Sequence, residues 1–109
     1  MTGDLAAAIE QLERAAELDP AASGPRNDLG VAHQARGDLG EAERWFHAAL
    51  ALEPESPEAN VNLARLLAAR GEAGPARQHL ERALAASPAD GELALRIRGW
   101  LSELPQTKK

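Results

Sequence analysis

A chain of 109 residues with 44% hydrophobic content can build one modest core, and its formal net charge of −5 argues against a general phosphate-binding surface, so nucleic acid is not an expected partner. The absence of cysteine excludes a disulfide framework and a thiol nucleophile. Alanine and leucine dominate and β-branched residues are scarce. The only aromatics are Trp45, Phe46 and Trp100, so an all-α chain is expected. The sequence shows no apolar run of membrane-spanning length and no signal-peptide pattern, which predicts a soluble, cytoplasmic protein.

The first helix is expected to start at Asp4 as N-cap and to stop before Asp19-Pro20, with Leu5, Ala8, Ile9, Leu12, Ala15 and Ala16 forming its apolar stripe. Pro25 and Gly37 frame a second helix whose inner side carries Leu29, Ala32 and His33. Gly30 lies beside them and lets another helix come close. A third helix from about Asp38 presents Leu39, Ala42, Phe46, Ala49 and Leu50. The pair Gly30 and Ala42 is expected at the closest crossing of the resulting hairpin. The same logic returns between Ser56-Pro57 and Pro88, with Leu63, Leu66 and Leu67, then Leu80, Ala83 and Leu84 facing inward. Gly71 stands at the turn and Pro75 in a first helical turn. A last helix from about Asp90 to Leu104 carries Leu93, Ala94, Ile97, Trp100, Leu101 and Leu104 before a lysine-ended tail. Trp45 reads as a packing residue beside Phe46, with a partly exposed binding aromatic as the alternative, and Trp100 is expected to anchor the final helix in the core.

These segments repeat. Gly37-Asp38-Leu39-Gly40-Glu41-Ala42 restates Gly3 to Ala8 and returns, loosened, at Gly71 to Ala76, each step being 34 residues. Glu17-Leu18-Asp19-Pro20 keeps the same step as Ala51-Leu52-Glu53-Pro54 and Ala85-Ala86-Ser87-Pro88. A fixed period of this length means stacked supersecondary units. A single domain over 1–109 is expected. Its parts are the second helix of a partial repeat (1–20), complete repeats at 21–54 and 55–88, a capping helix at 89–104 and a tail at 105–109.

The residues Leu29-Gly30 and Leu63-Ala64, the turn glycines Gly3, Gly37 and Gly71, the alanines Ala8, Ala42 and Ala76, Phe46, and the closing prolines make the chain resemble a tetratricopeptide repeat protein. That family usually carries tryptophan and tyrosine in its first helices, where this chain has Arg26 and His33, then Asn60 and Leu67. The resemblance implies about six helices in a right-handed superhelical stack of antiparallel pairs. Its concave side is lined by first helices and receives a peptide segment or a partner helix. By that resemblance Asn62 is the leading binding residue, since its amide pairs a donor with an acceptor. Glu58, Arg65 and Ala69 follow on the same side of the helix, Asn27, Asp28, Val31 and Gln34 are their counterparts one repeat earlier, and Arg96 extends the row. The carboxylate clamp of chaperone-binding members is not expected, because Asn27 and Glu92 stand where it needs cations and Val31 where it needs asparagine. The mixed charges Asp28, Glu58, Arg65 and Arg96 favour a ligand bearing both signs.

No reaction is indicated. His33, His47 and His79 do not pair at ligand spacing and read as core or surface residues, so no metal is expected. Glu41 with Glu43 and Glu53 with Glu55 read as solvated carboxylates, and no phosphate-binding loop is present, so no cofactor is expected. A non-enzymatic protein-interaction module is the expected function. Two other readings stay open: an oligomerisation scaffold, with a homo-oligomer formed through the N-terminal helix, and a regulatory fragment of a larger enzyme.

Overall fold

The computed structural model describes residues 2–105, and the described residues hold six helices and no strand. They are α1 (Thr2–Leu18), α2 (Gly24–Arg36), α3 (Leu39–Leu52), α4 (Pro57–Ala69), α5 (Ala73–Ala85) and α6 (Glu92–Glu103). The chain divides into two compact units between Pro54 and Glu55. In the first, α2 packs against α1 and α3; in the second, α5 packs against α4 and α6. Most of the lysine-ended tail lies outside the described residues.

The hairpin turns repeat in their hydrogen bonds as well as in their letters. Gly37 (φ 89°) and Gly71 (φ 84°) both take the left-handed conformation that only glycine adopts at little cost. The Gly37 N–H donates to the Gln34 carbonyl at 3.0 Å and the Asp38 N–H to His33 at 2.9 Å. One period later Gly71 donates to Ala68 at 3.0 Å and Glu72 to Leu67 at 2.9 Å. An ion pair closes each turn, Arg36 to Asp38 at 2.9 Å and Arg70 to Glu72 at 3.3 Å. Gly3 departs from this pattern, because α1 already begins at Thr2 and absorbs it. Asp4 therefore sits in the first turn, where a carboxylate favours the helix dipole, and is not the N-cap. The clearest N-cap is Ser56, whose hydroxyl accepts from the Ala59 N–H at 3.2 Å ahead of Pro57. α6 is shorter than the expected Asp90 to Leu104, with Gly91 and Leu104 as its extended caps.

Within the first unit, Ile9, Ala16, Leu29 and Ala32 form one apolar cluster, with Leu12 and Trp45 packed on it. Trp45 is half-buried there, packed on residues of α1 and α2. Ala8 is exposed despite its place in the predicted stripe, and Leu39 is also exposed at the start of α3. A Cβ at Gly30 would meet the Phe46 ring at Cδ1, Cε1 and Cζ, one turn beyond Ala42 on α3. Both Phe46 and Ala42 are fully buried, so the two small positions leave room for one large ring. In the second unit, Leu63, Leu66, Leu67, Leu80, Ala83, Ala94 and Ile97 are buried, whereas Leu84 is only half-buried.

Trp100 is not a core anchor. It is half-buried on α6, while Ala94 and Ile97 are the residues of that helix that reach full burial. Arg98 stands in the slot held by Gly30 and Ala64 in the preceding repeats; it is exposed and donates to the Ala89 carbonyl at 3.2 Å.

Candidate functional site

On α4 the spacing of four, three and four residues sets Glu58, Asn62, Arg65 and Ala69 on one side of the helix, opposite Ala59, Leu63, Leu66 and Leu67. Glu58, Arg65 and Ala69 are exposed and Asn62 is half-buried. On α6, Arg96 is exposed and stands four residues before Trp100. The structure brings these helices together through the indole: the Arg65 guanidinium carbon lies 4.8 Å from the Trp100 ring centroid and that of Arg96 5.1 Å. Such contacts hold a flexible arginine in place for about 0.5–1 kcal/mol at an exposed site. Neither arginine forms an ion pair among the described residues.

Beside this pair a half-open cleft of about 320 Å³ lies between α4 and α6. It exists because α6 packs mainly on α5, leaving Trp100 to reach towards α4. Ala64 and Ala68 of α4, Leu80 of α5 and Leu104 form apolar walls, while Arg65 and Glu103 supply one charge of each sign. In the first unit, Asn27, Asp28, Val31 and Gln34 occupy one side of α2, away from buried Leu29, Gly30, Ala32 and His33. Asn27 is half-buried and the other three are exposed, Val31 at 45%.

The sequence reading left Trp100 out of the binding set, although its spacing from Arg96 by one helical turn was visible. It also missed a buried polar link. Asn60 is fully buried; its Nδ2 donates to the Ser56 carbonyl at 3.0 Å, and its Oδ1 lies 2.9 Å from Nδ1 of His79. With the amide so oriented, Oδ1 only accepts, so His79 Nδ1 carries the proton. The signal in the sequence was an asparagine in a slot that resembled repeats fill with an aromatic. His33 is likewise buried, with Nδ1 3.6 Å from Asp38 Oδ2 and no hydrogen bond at that nitrogen.

Other carboxylates have partners of their own. Glu41 pairs with Arg44 at 3.0 Å, and Glu53 accepts from the Ser23 hydroxyl at 2.6 Å. Among the described residues no group of three or more His, Cys, Asp or Glu side chains converges to hold a metal, and no helix is long and apolar enough to cross a membrane.

Comparison with curated proteins gives no match. Among solved structures, the chain is similar to the Yersinia enterocolitica type III secretion chaperone SycD in complex with a peptide of the translocator YopD. That likeness has a TM-score of 0.82 at 22% identity and covers 93% of this chain and 79% of that one. PcrH in complex with the chaperone-binding region of PopD gives 0.81 at 20% identity, over 93% and 78%. TTC0263, a tetratricopeptide repeat protein of Thermus thermophilus, gives 0.81 at 29% identity, over 93% of this chain and 52% of that one. Tetratricopeptide repeat family models match residues 2–46 and residues 35–101. The second match alone spans more than half of the sequence, and the chain belongs to the tetratricopeptide repeat family.

Proposed function

We propose that this chain is a non-enzymatic protein-interaction module that binds a peptide segment or partner helix on the exposed sides of its first helices. The observation that carries the reading is α4, whose outward side holds Glu58, Asn62, Arg65 and Ala69 in line and leads into the half-open cleft beside Trp100. A helix face that presents mixed charge, an amide and a small residue gives a ligand both hydrogen-bond partners and close approach. Asn27, Asp28, Val31 and Gln34 supply a comparable surface on α2, and Arg96 on α6. SycD, complexed with a peptide of the translocator YopD, and PcrH, complexed with the chaperone-binding region of PopD, share the fold, and the same use of the fold is consistent with this surface. The reading includes the cytoplasmic placement expected from the sequence.

A second reading, self-association through α1, is favoured by Leu18, which is 81% exposed at the end of that helix. SycD has been solved with an alternative dimer.

The test is a titration of the isotopically labelled chain with an array of peptides capped at both ends. Shifts clustered at Glu58, Asn62, Arg65, Ala69 and Arg96, or at the α2 set, support the module. An array that perturbs no residue of these helices, or perturbs only α1 and the outer side of α5, refutes it.

A further inference from the structure

Arg65 and Arg96 are held over one indole, on a protein whose formal net charge is −5, without an ion-pair partner among the described residues. Each guanidinium rests its face on the indole and keeps N–H donors at its edge, which an anion alongside can take up. Beside them the cleft offers apolar walls from Ala64, Ala68, Leu80 and Leu104. Its volume of about 320 Å³ lies at the lower end of the roughly 300–1,000 Å³ of ligand sites, which suits one or two side chains rather than a bulky cofactor.

We propose that the cleft between α4 and α6 receives an internal stretch of a partner chain in which an aliphatic side chain is followed within one or two residues by a carboxylate. This rests on the peptide-binding reading above. The aliphatic group enters between Ala68, Leu80 and Leu104, and the side-chain carboxylate lies against Arg65 and Arg96. Guanidinium is the better cation for this task, because its planar fork takes a carboxylate with two parallel hydrogen bonds while its face remains on the indole. Glu103, on the same cleft wall, disfavours a carboxylate beside itself and so helps to fix which way the segment runs. Since the carboxylate is a side chain, no chain end is needed.

The probes are three peptides capped at both ends: one with leucine followed by two glutamates within a neutral glycine-serine frame, one with lysines in place of the glutamates, and one with alanine in place of leucine. Trp45→Phe is the reporter background, so that the remaining indole fluorescence comes from Trp100. The acidic leucine peptide is expected to quench or shift that signal and to bind at least about tenfold more tightly than either control. Arg65→Gln with Arg96→Gln is expected to remove the preference over the lysine peptide, with helicity unchanged because both arginines are exposed. Trp100→Phe, which keeps an aromatic face, should retain part of the affinity measured by calorimetry.

Equal affinity for the acidic and lysine peptides overturns the proposal, as does an unchanged preference in the double variant or no binding of the acidic peptide at all. If the wider peptide array still shifts Asn62 or the α2 set in those cases, the interaction-module reading stands and only the cleft assignment falls. If neither probe set binds, both fall.

Discussion

Gly30 lies against the ring of Phe46 so closely that a Cβ there would fall 2.5 Å from Cδ1 and 2.9 Å from Cζ. Carbon atoms in good contact stay roughly 3.5–4.0 Å apart. The ring is fully buried and has no open side to move into. Alanine in place of a helical glycine ordinarily gains about 1 kcal/mol. At this position the clash prevails, and Gly30→Ala is expected to destabilise the chain by about 1–3 kcal/mol. Gly99, within α6, has nothing within 4 Å of its added Cβ, so Gly99→Ala should stabilise by up to about 1 kcal/mol. Denaturant midpoints of the two variants decide the matter. Shifts of the same sign would remove Phe46 as the cause.

The two turn glycines test backbone geometry free of packing. A Cβ at Gly37 or Gly71 meets nothing within 4 Å, yet both have φ in the left-handed region. Alanine at either position is therefore expected to cost about 1–2 kcal/mol from conformation alone, and asparagine less. Equal midpoints for wild type, Gly37→Ala and Gly71→Ala in urea would show that the turns relax into another conformation.

The Asn60–His79 link makes a prediction of a different kind. Asn60 is fully buried and His79 half-buried, so losing the bond between them through Asn60→Ala should cost about 1–3 kcal/mol. In a double-mutant cycle with His79→Ala, the coupling should reach at least about 0.5 kcal/mol. The neutral imidazole should carry its proton on Nδ1, which long-range nitrogen–proton correlation spectra read directly. A proton on Nε2 in the neutral ring would contradict the assigned geometry.

The period, the helix faces and the turn glycines were legible because each is a local property: apolar spacing selects a face, and glycine marks φ > 0. Gly30 is legible as a close approach, but the Phe46 ring against it is not, since spacing within a helix does not say which side chain of the next helix fills the space. Ala42 matched Gly30 by size, yet Phe46, one turn further on, supplies the atoms that would collide. The Asn60–His79 bond joins residues 19 apart on two helices, so neither helix pattern contained it. Trp100 was assigned to the core on hydrophobicity alone. Its half-exposed ring instead gives Arg65 and Arg96 a common support, a relationship between two helices that no single-helix periodicity encodes. Ile9, part of the apolar stripe of α1, is buried in the cluster of the first unit. A test of association through α1 therefore uses Leu18→Glu, which alters an exposed residue, rather than Ile9→Glu, which would damage the core.

Asn62 lies midway along the outward side of α4, between Glu58 and Arg65, and its amide offers a donor and an acceptor side by side. A peptide backbone presents the complementary pair whatever its side chains, so Asn62→Ala should weaken every peptide that binds α4, by about 1–3 kcal/mol each if the backbone groups are left unpaired. Neutral groups make this loss nearly independent of salt. Arg65→Glu should differ on both counts, weakening acidic peptides selectively and less so at high ionic strength, because the interaction between exposed charges is screened over roughly 8–10 Å. Asn62 also holds an intramolecular contact, so helicity and unfolding midpoint are compared before affinity. Glu81→Ala, at an exposed position of α5, is the control and should leave all affinities unchanged. Calorimetry with acidic, neutral and basic capped peptides at two salt concentrations separates the effects. A loss in Asn62→Ala confined to acidic peptides and abolished by salt would mean that the asparagine acts only by positioning Arg65, and no loss in any peptide would remove it from the binding surface.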